Sequence, residues 1–252
     1  MGNPGGQADR LSVHRFFVRP TAVAAERITF EADQSHQIRR VLRMRSGDQV
    51  IVCDGTGDEV IAEIRLEGKD AWALPVERRQ GRARPRRSVW LYPSALRGDR
   101  FTWLLQKITE IGVAGVVPVL YAHTQPADYA ARHARHAAIM REAAEQSERA
   151  ILPELAPPIA FADALSQCDP EHEICLLLDE DERACSLKAS LGRVAAVVRM
   201  FVGPEGGLTD RERELAARKG LTPVSMGSAI MRSETAGMVG VALALGASGD
   251  LG

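Results

Sequence analysis

Val197-Val198-Arg199-Met200-Phe201-Val202 runs directly into Gly203-Pro204-Glu205-Gly206-Gly207-Leu208-Thr209. The first six residues read as a buried strand, and the next five as a glycine-rich loop. Three glycines bring backbone N–H and C=O groups close to a ligand with no Cβ in the way, and Pro204 stiffens the turn. Thr209, with Glu212 three residues on, forms a capping box that opens a helix, and Lys219-Gly220 closes it. The positive end of that helix then faces the loop. The loop is neither a Walker A sequence, lacking Gly-Lys-Ser/Thr, nor the G-x-G-x-x-G dinucleotide fingerprint, so phosphate is not its expected guest.

A second loop of the same character follows within the same region. Pro223-Val224-Ser225 reads as a short strand that delivers Met226-Gly227-Ser228-Ala229-Ile230-Met231-Arg232-Ser233-Glu234-Thr235-Ala236. One glycine loop after a strand is as often a plain turn as a site. Two in one region are harder to dismiss as plain turns.

The pair Gly-Pro-Glu-Gly-Gly-Leu-Thr and Met-Gly-x-x-Ile-Met-Arg-x-Glu-Thr-Ala resembles the signature of the RsmE family of rRNA methyltransferases, in the knotted SPOUT class. Arg15-Phe16-Phe17-Val18, Lys107-Ile108-Thr109-Glu110-Ile111-Gly112-Val113 and Glu142-Ala143-Ala144-Glu145-Gln146-Ser147-Glu148-Arg149 fit the same family in order along the chain. One departure follows Tyr121, where Ala122-His123-Thr124-Gln125-Pro126 stands in place of the usual Ser beside Arg or Thr. The resemblance implies methylation of N3 of a uridine in 16S rRNA of the small ribosomal subunit, with S-adenosyl-L-methionine as methyl donor. It also implies an N-terminal PUA-like β-barrel over residues 13–80, a SPOUT α/β domain with a deep trefoil knot over 88–250, and a homodimer.

Composition is compatible with this. At 252 residues and 45% hydrophobic content the chain can hold one large or two modest domains. No apolar run reaches membrane-spanning length; Ala236–Ala247, the longest, suits a buried helix. The lead Gly2–Gln7 has no signal-peptide core, and a cytoplasmic location is expected. Cys53, Cys168, Cys175 and Cys185 show neither C-x-x-C pairing nor zinc-ligand spacing, so they are expected to be reduced and mostly buried, with no metal. Basic charge gathers at the front. Residues 1–88 carry 16 Lys+Arg against 12 Asp+Glu, whereas the remainder carries 16 against 21. The excess of Arg over Lys suits phosphate and base recognition, although genome base composition produces the same bias.

From Phe16 to Val76, short strands at Gln49–Cys53, Glu59–Leu66 and Ala71–Val76 predict a small barrel. A helix from Gln34 to Met44, capped by Asp33, interrupts them. It would align His36, Arg39, Arg40 and Arg43 as a basic stripe, with Ile38, Val41 and Leu42 on the other side. A solvated face and a phosphate-binding face are both open readings of that stripe. Arg78–Arg87, with six arginines, reads as the joint between domains. Beyond it strands at Val89–Tyr92, Gly115–Leu120, Ile174–Leu178, Val197–Val202 and Pro223–Met226 alternate with helices, including Asp99–Ile111, Arg132–Ala150 and Glu234–Leu245, an α/β pattern with a largely parallel sheet. Gly237, Gly240 and Ala244 form a small-residue face for close packing, within the domain or across a dimer.

By the resemblance, Leu178, Ile230 and Met231 wall the cofactor pocket. Asp179 stands at the end of its strand, and Gly203, Glu205, Gly206, Gly207, Met226 and Gly227 belong to its loops. Arg232 is the first candidate for catalysis, as a guanidinium that stabilises charge on the uracil oxygens when N3 loses its proton. Glu234 and Glu205 are candidates for the base or for holding Arg232. The resemblance adds Lys107, Gln146 and Arg149 to Arg15, His36, Arg39, Arg40 and Arg43 as RNA contacts, although an arginine opening a strand is ordinary and a salt-bridged surface is the default for polar residues on helices. The alternatives are a knotted ribose 2′-O-methyltransferase and a non-catalytic RNA-binding assembly factor.

Overall fold

The parallel strands expected after residue 88 are present, and they form the sheet that carries both glycine loops. The computed structural model describes residues 13–23, 25–81, 85–95, 98–124 and 129–251. The leader Gly2–Gln7, Arg82 and Arg84 of the joint, and Gln125-Pro126 lie outside the described residues. The described chain divides into two compact units: residues before the 83/84 boundary together with Glu148–Ile151, and the rest.

The first unit contains β1 (Arg15–Phe17), α1 (Pro20–Val23), β2 (Ile28–Thr29), α2 (Ala32–His36), β3 (Gln49–Cys53), β4 (Asp58–Glu67) and β5 (Asp70–Gln80). They form a mixed sheet in the order β1-β3-β4-β5-β2, with only β1 and β3 parallel. Among the described residues β1 and β2 do not pair, so the sheet is a half-barrel. Phe16, Ile28, Ile38, Val50, Val52, Ile64 and Ala73 fill its core.

Three expectations change here. Glu31, not Asp33, caps α2: the Gln34 side chain reaches back to accept from the Glu31 N–H at 3.2 Å, while Asp33 accepts from the Gln34 N–H inside the first turn. After His36 the chain passes into a π-helical turn over Gln37–Val41, in which the Leu42 N–H donates to the Gln37 carbonyl at 2.9 Å. Arg43 then takes a left-handed φ of 53°. The i, i+3, i+4, i+7 spacing therefore does not make one helical face, and Val41, expected to be covered, is 65% exposed. The joint is also shorter than expected, because pairing with Asp58–Val60 extends β5 through Arg78, Arg79 and Gln80.

The second unit contains β6 (Ser88–Pro93), α3 (Asp99–Ile111), β7 (Gly115–Val116), β8 (Val119–Leu120), α4 (Tyr129–Gln146), β9 (Glu154–Leu155), β10 (Ile159–Ala160), α5 (Phe161–Leu165), β11 (Ile174–Leu178), α6 (Leu187–Ser190), β12 (Val197–Val202), α7 (Asp210–Arg218), β13 (Thr222–Val224) and α8 (Ser233–Ala247). The main sheet is wholly parallel, in the order β13-β11-β12-β6-β7-β9. The stretch expected as one strand, Gly115–Leu120, is split into β7 and β8, which join different sheets. The helix expected over Arg132–Ala150 runs from Tyr129 to Gln146, and Glu148 leaves it at φ 56°.

Strand alternation distributes the core to both faces, as a sheet covered on both sides requires. Ile174, Leu176 and Leu178 of β11 join Val198, Met200 and Val202 of β12 on the face packed by α3 and α8. Cys175, Leu177 and Phe201 face the opposite way, with α5 and α7 residues Phe161, Leu165 and Ala216. On α8 the small residues meet the sheet: a Cβ on Gly240 would stand 2.3 Å from Met200 Sδ, and one on Gly237 3.2 Å from Leu91 Cδ2. Close packing here lies within the unit. No helix of the described residues is long and apolar enough to cross a membrane.

Candidate active site

At the C-terminal ends of β11, β12 and β13, where open α/β sheets place ligands, the three following loops enclose a cavity of about 490 Å³. That size is ordinary for a small-molecule site. Of the ten residues expected to hold a cofactor, Leu178, Asp179, Gly203, Glu205, Gly207, Met226, Gly227, Ile230 and Met231 line it, and so does Arg232. Gly206 does not. A Cβ there would meet His123 Cβ at 3.1 Å, so this glycine admits the imidazole of a neighbouring loop.

The walls have local causes. Thr209 and Glu212 make the expected capping box, with Glu212 Oε2 accepting from the Thr209 N–H at 2.8 Å and Thr209 Oγ1 accepting from the Glu212 N–H at 3.2 Å. Pro204 and Gly207 close the loop as a turn, the Gly207 N–H donating to the Pro204 carbonyl at 3.0 Å, with Glu205 and Gly206 at its tip. Gly207 takes φ 74° and Gly227 φ 115°, backbone states that side-chain-bearing residues rarely adopt. Apart from Gly227 and its chain neighbours, no atom of the described residues lies within 4 Å of where a Cβ on Gly227 would stand. The Ser233 hydroxyl donates to the Gly203 carbonyl at 2.8 Å, fastening the second loop to the first.

The unusual segment after Tyr121 belongs to this frame. His123 Nδ1 lies 3.1 Å from the Gly207 carbonyl oxygen, and the Ala122 N–H donates to Glu212 Oε1 at 2.8 Å. Thr124 Oγ1 accepts from the Tyr121 N–H at 2.8 Å and sits 3.1 Å from Ser94 Oγ. Burial opposes ionisation of Glu212, but hydrogen bonds from the Ala122 N–H and from Thr209 outweigh it and hold the carboxyl below the usual range.

Four arginines reach the cavity: Arg100, Arg183, Arg213 and Arg232. Arg213 pairs with Asp179 at 2.9 and 3.2 Å and with Asp181 at 2.6 Å. Asp179 thus stands in the wall with its carboxylate committed. Arg183 donates to the Glu180 and Glu182 carbonyls. Arg100 is ion-paired with Glu205. Arg232, the exposed residue preceding α8, makes no side-chain hydrogen bond or ion pair among the described residues. Arg100, Arg183 and Arg213 were not expected from sequence. Arg100 alone carries a local signal, as a cation in the first turn of a helix.

Glu234 is 8% exposed, does not line the cavity, and leaves Oε2 without a hydrogen-bond partner among the described residues. Arg15, expected at the RNA, is buried: it donates to Glu59 Oε1 at 2.6 Å and to Cys53 Sγ at 2.8 Å. Its charge is satisfied inside the half-barrel. His36, Arg40 and Arg43 are exposed, and Arg39 donates to the Asp70 carbonyl at 3.4 Å. Lys107 pairs with Glu110 at 2.8 Å, Gln146 is exposed at the end of α4, and burial lowers the Arg149 pKa to about 10. Of the joint arginines, Arg78 bonds the Val23 carbonyl, Arg79 pairs with Glu59, and Arg87 is buried on the carbonyls of Leu191 and Arg193.

A family model described as an RNA methyltransferase domain matches residues 83–245, and one described as an RNA methyltransferase PUA domain matches 30–71. The Synechocystis ribosomal RNA small subunit methyltransferase E is 32% identical over 92% of this chain and 77% of its own length. The chain belongs to the ribosomal RNA small subunit methyltransferase E family. Its Bacillus subtilis relative of the same name is 28% identical over 89% of this chain and 93% of that protein. Among solved structures, ribosomal RNA small subunit methyltransferase E from Neisseria gonorrhoeae, bound to S-adenosyl methionine, superposes with a TM-score of 0.83 at 29% identity, over 91% of this chain and 95% of that one. In this family setting the strand-end cavity is the candidate active site.

Proposed function

We propose that this chain transfers a methyl group from S-adenosylmethionine to N3 of a uridine in 16S rRNA of the small ribosomal subunit. The observation that carries this reading is the single cavity joining both glycine loops to Arg232. Leu178, Met226, Ile230 and Met231 would hold the apolar parts of the cofactor, and the loop backbone at Gly203, Gly207 and Gly227 its polar edges. When bound, the cofactor supplies an electrophilic methyl group.

The chain's own part is to place the base and stabilise its charge. A uracil taken out of its stack loses the N3 proton only as negative charge grows on its carbonyl oxygens. Arg232, uncommitted at the cavity wall, is placed to stabilise that charge without taking the proton. Neither carboxylate is assigned as base: Glu205 is held by Arg100, and Glu234 is buried off the cavity wall. The proton leaves to water at the exposed mouth, where Ser228, Ala229 and Ile230 are open to solvent.

The half-barrel is read as a PUA-like RNA-binding domain, offering His36, Arg39, Arg40 and Arg43 to phosphates. A trefoil knot around the last strands, a homodimer and a cytoplasmic location complete the proposal. The test is transfer of labelled methyl to small subunits lacking the modification, followed by nucleoside analysis. N3-methyluridine is the expected product. Label in a ribose, or tight RNA binding with no label, would overturn the reading.

A further inference from the structure

Glu205 sits at the tip of the Pro204–Gly207 turn, and the two sides of that turn are already tied down: Gly203 by the Ser233 hydroxyl and Gly207 by His123. The tip is tethered from elsewhere. Arg100, in the first turn of α3, forms an ion pair with Glu205, and both side chains line the cavity, 50% and 55% exposed. A cation at this end of a helix faces the positive pole of the macrodipole, an unfavourable place that one acid, Asp99, shares with it. The Glu205 carboxylate compensates that charge, and in return the loop tip is held to a rigid helix of the same unit.

We infer that Arg100 is a positioning residue for the cofactor loop: acting through Glu205, it holds the Pro204–Gly207 turn against the cavity and so sets cofactor affinity. It touches neither the methyl group nor the uracil. This inference rests on the functional reading above, in which the cavity takes S-adenosylmethionine.

The experiment is calorimetric titration of the full-length protein with S-adenosylmethionine, in wild type, R100A, R100K, E205A, the R100A/E205A double variant and the charge-swapped R100E/E205R. For a half-exposed ion pair, R100A and E205A should each weaken binding by about three- to fivefold. R100K should recover part of the loss. The double variant should be no weaker than either single one, and the swap should restore most of the affinity, as expected for two groups acting through one contact. The loss should also appear in the KM for S-adenosylmethionine. Additive losses, unaltered cofactor binding in R100A, or a rise confined to the KM for rRNA would overturn the inference, the last by making Arg100 an RNA contact. A wild-type protein that does not bind S-adenosylmethionine would instead sink the functional reading itself, and this inference with it.

Discussion

The Ser233 hydroxyl and the Gly203 carbonyl oxygen, 30 residues apart in sequence, are hydrogen-bonded at 2.8 Å. This contact turns two separate loops into one wall, and Ser233 is buried where it makes it. S233A should therefore act on affinity as well as stability. Loss of the bond should cost about 1 kcal/mol of unfolding free energy in urea titrations and weaken cofactor binding several-fold, with S233T retaining both. An unchanged cofactor titration would mean that strand packing alone aligns the loops.

Arg232 differs from the other three cavity arginines in that its guanidinium has no hydrogen-bond or ion-pair partner, backbone or side chain, among the described residues. Its removal should spare the fold and strike turnover. R232A is expected to lower kcat by about a hundred- to a thousandfold, the range for losing one preorganised group that stabilises developing charge, with cofactor affinity nearly intact. E205Q provides the contrast. A lost general base costs about 10²–10⁴-fold, so a drop in kcat well below that range would keep Glu205 in a positioning role. Equal loss of cofactor binding and turnover in R232A would make Arg232 a binding residue.

Gly206 faces His123 rather than the cavity, which changes what a substitution there should do. Gly206→Val would press on the His123 side chain, whose Cβ would stand 3.1 Å from the added Cβ, and displace the loop through it. The variant should lose cofactor affinity, and H123G in the same chain, which removes the His123 Cβ as well as the ring, should restore much of it by making room. Direct blockage of the cofactor predicts no such rescue, so titrations of the single and double variants separate the two causes.

The reasons why some of this was legible in sequence and some was not are physical. Thr209 with Glu212, and the glycines after Val202, are signals contained within a few residues, and the strand, loop and helix they mark are in place. The hydrophobic runs of β11 and β12 likewise announce a sheet buried on both faces. Partners distant in sequence leave no such trace. Arg15 looks like any strand-opening arginine until Glu59, 44 residues on, is folded against it. Arg213 reads as surface until β11 brings Asp179 to it. The π-turn over Gln37–Val41 moves Arg43 off the stripe by inserting one residue into a helical turn, a change the periodicity of the sequence does not register.

Glu212 links stability to pH. Its carboxyl is held below the usual range in the folded protein, so the stabilisation it gives is complete above the unfolded glutamate pKa of about 4.3 and is lost as pH falls through the lower folded value. E212Q should lower Tm at neutral pH, since the Ala122 and Thr209 donors lose a charged acceptor. The gap between wild type and E212Q should close on acidification from about pH 5 downward. A gap of constant size from neutral to acid pH would show that ionisation of Glu212 contributes nothing.

Gly240 tests whether the small face of α8 serves the sheet or another copy of the chain. With Met200 Sδ 2.3 Å and Leu178 Cδ1 3.4 Å from a hypothetical Cβ, the site has no room, and Met200 is itself fully buried. Alanine would regain helix propensity while forcing the thioether to move, and valine adds bulk that the sheet cannot absorb. G240V should destabilise by about 2–3 kcal/mol, as overpacking of a filled core does. L243A, on the 46% exposed side of the same helix, should stay within about 0.5 kcal/mol in the isolated chain. Because the crowding is inside the unit, the G240V loss should not vary with protein concentration. A loss that shrinks as concentration rises would instead move the close contact to an interface between two chains.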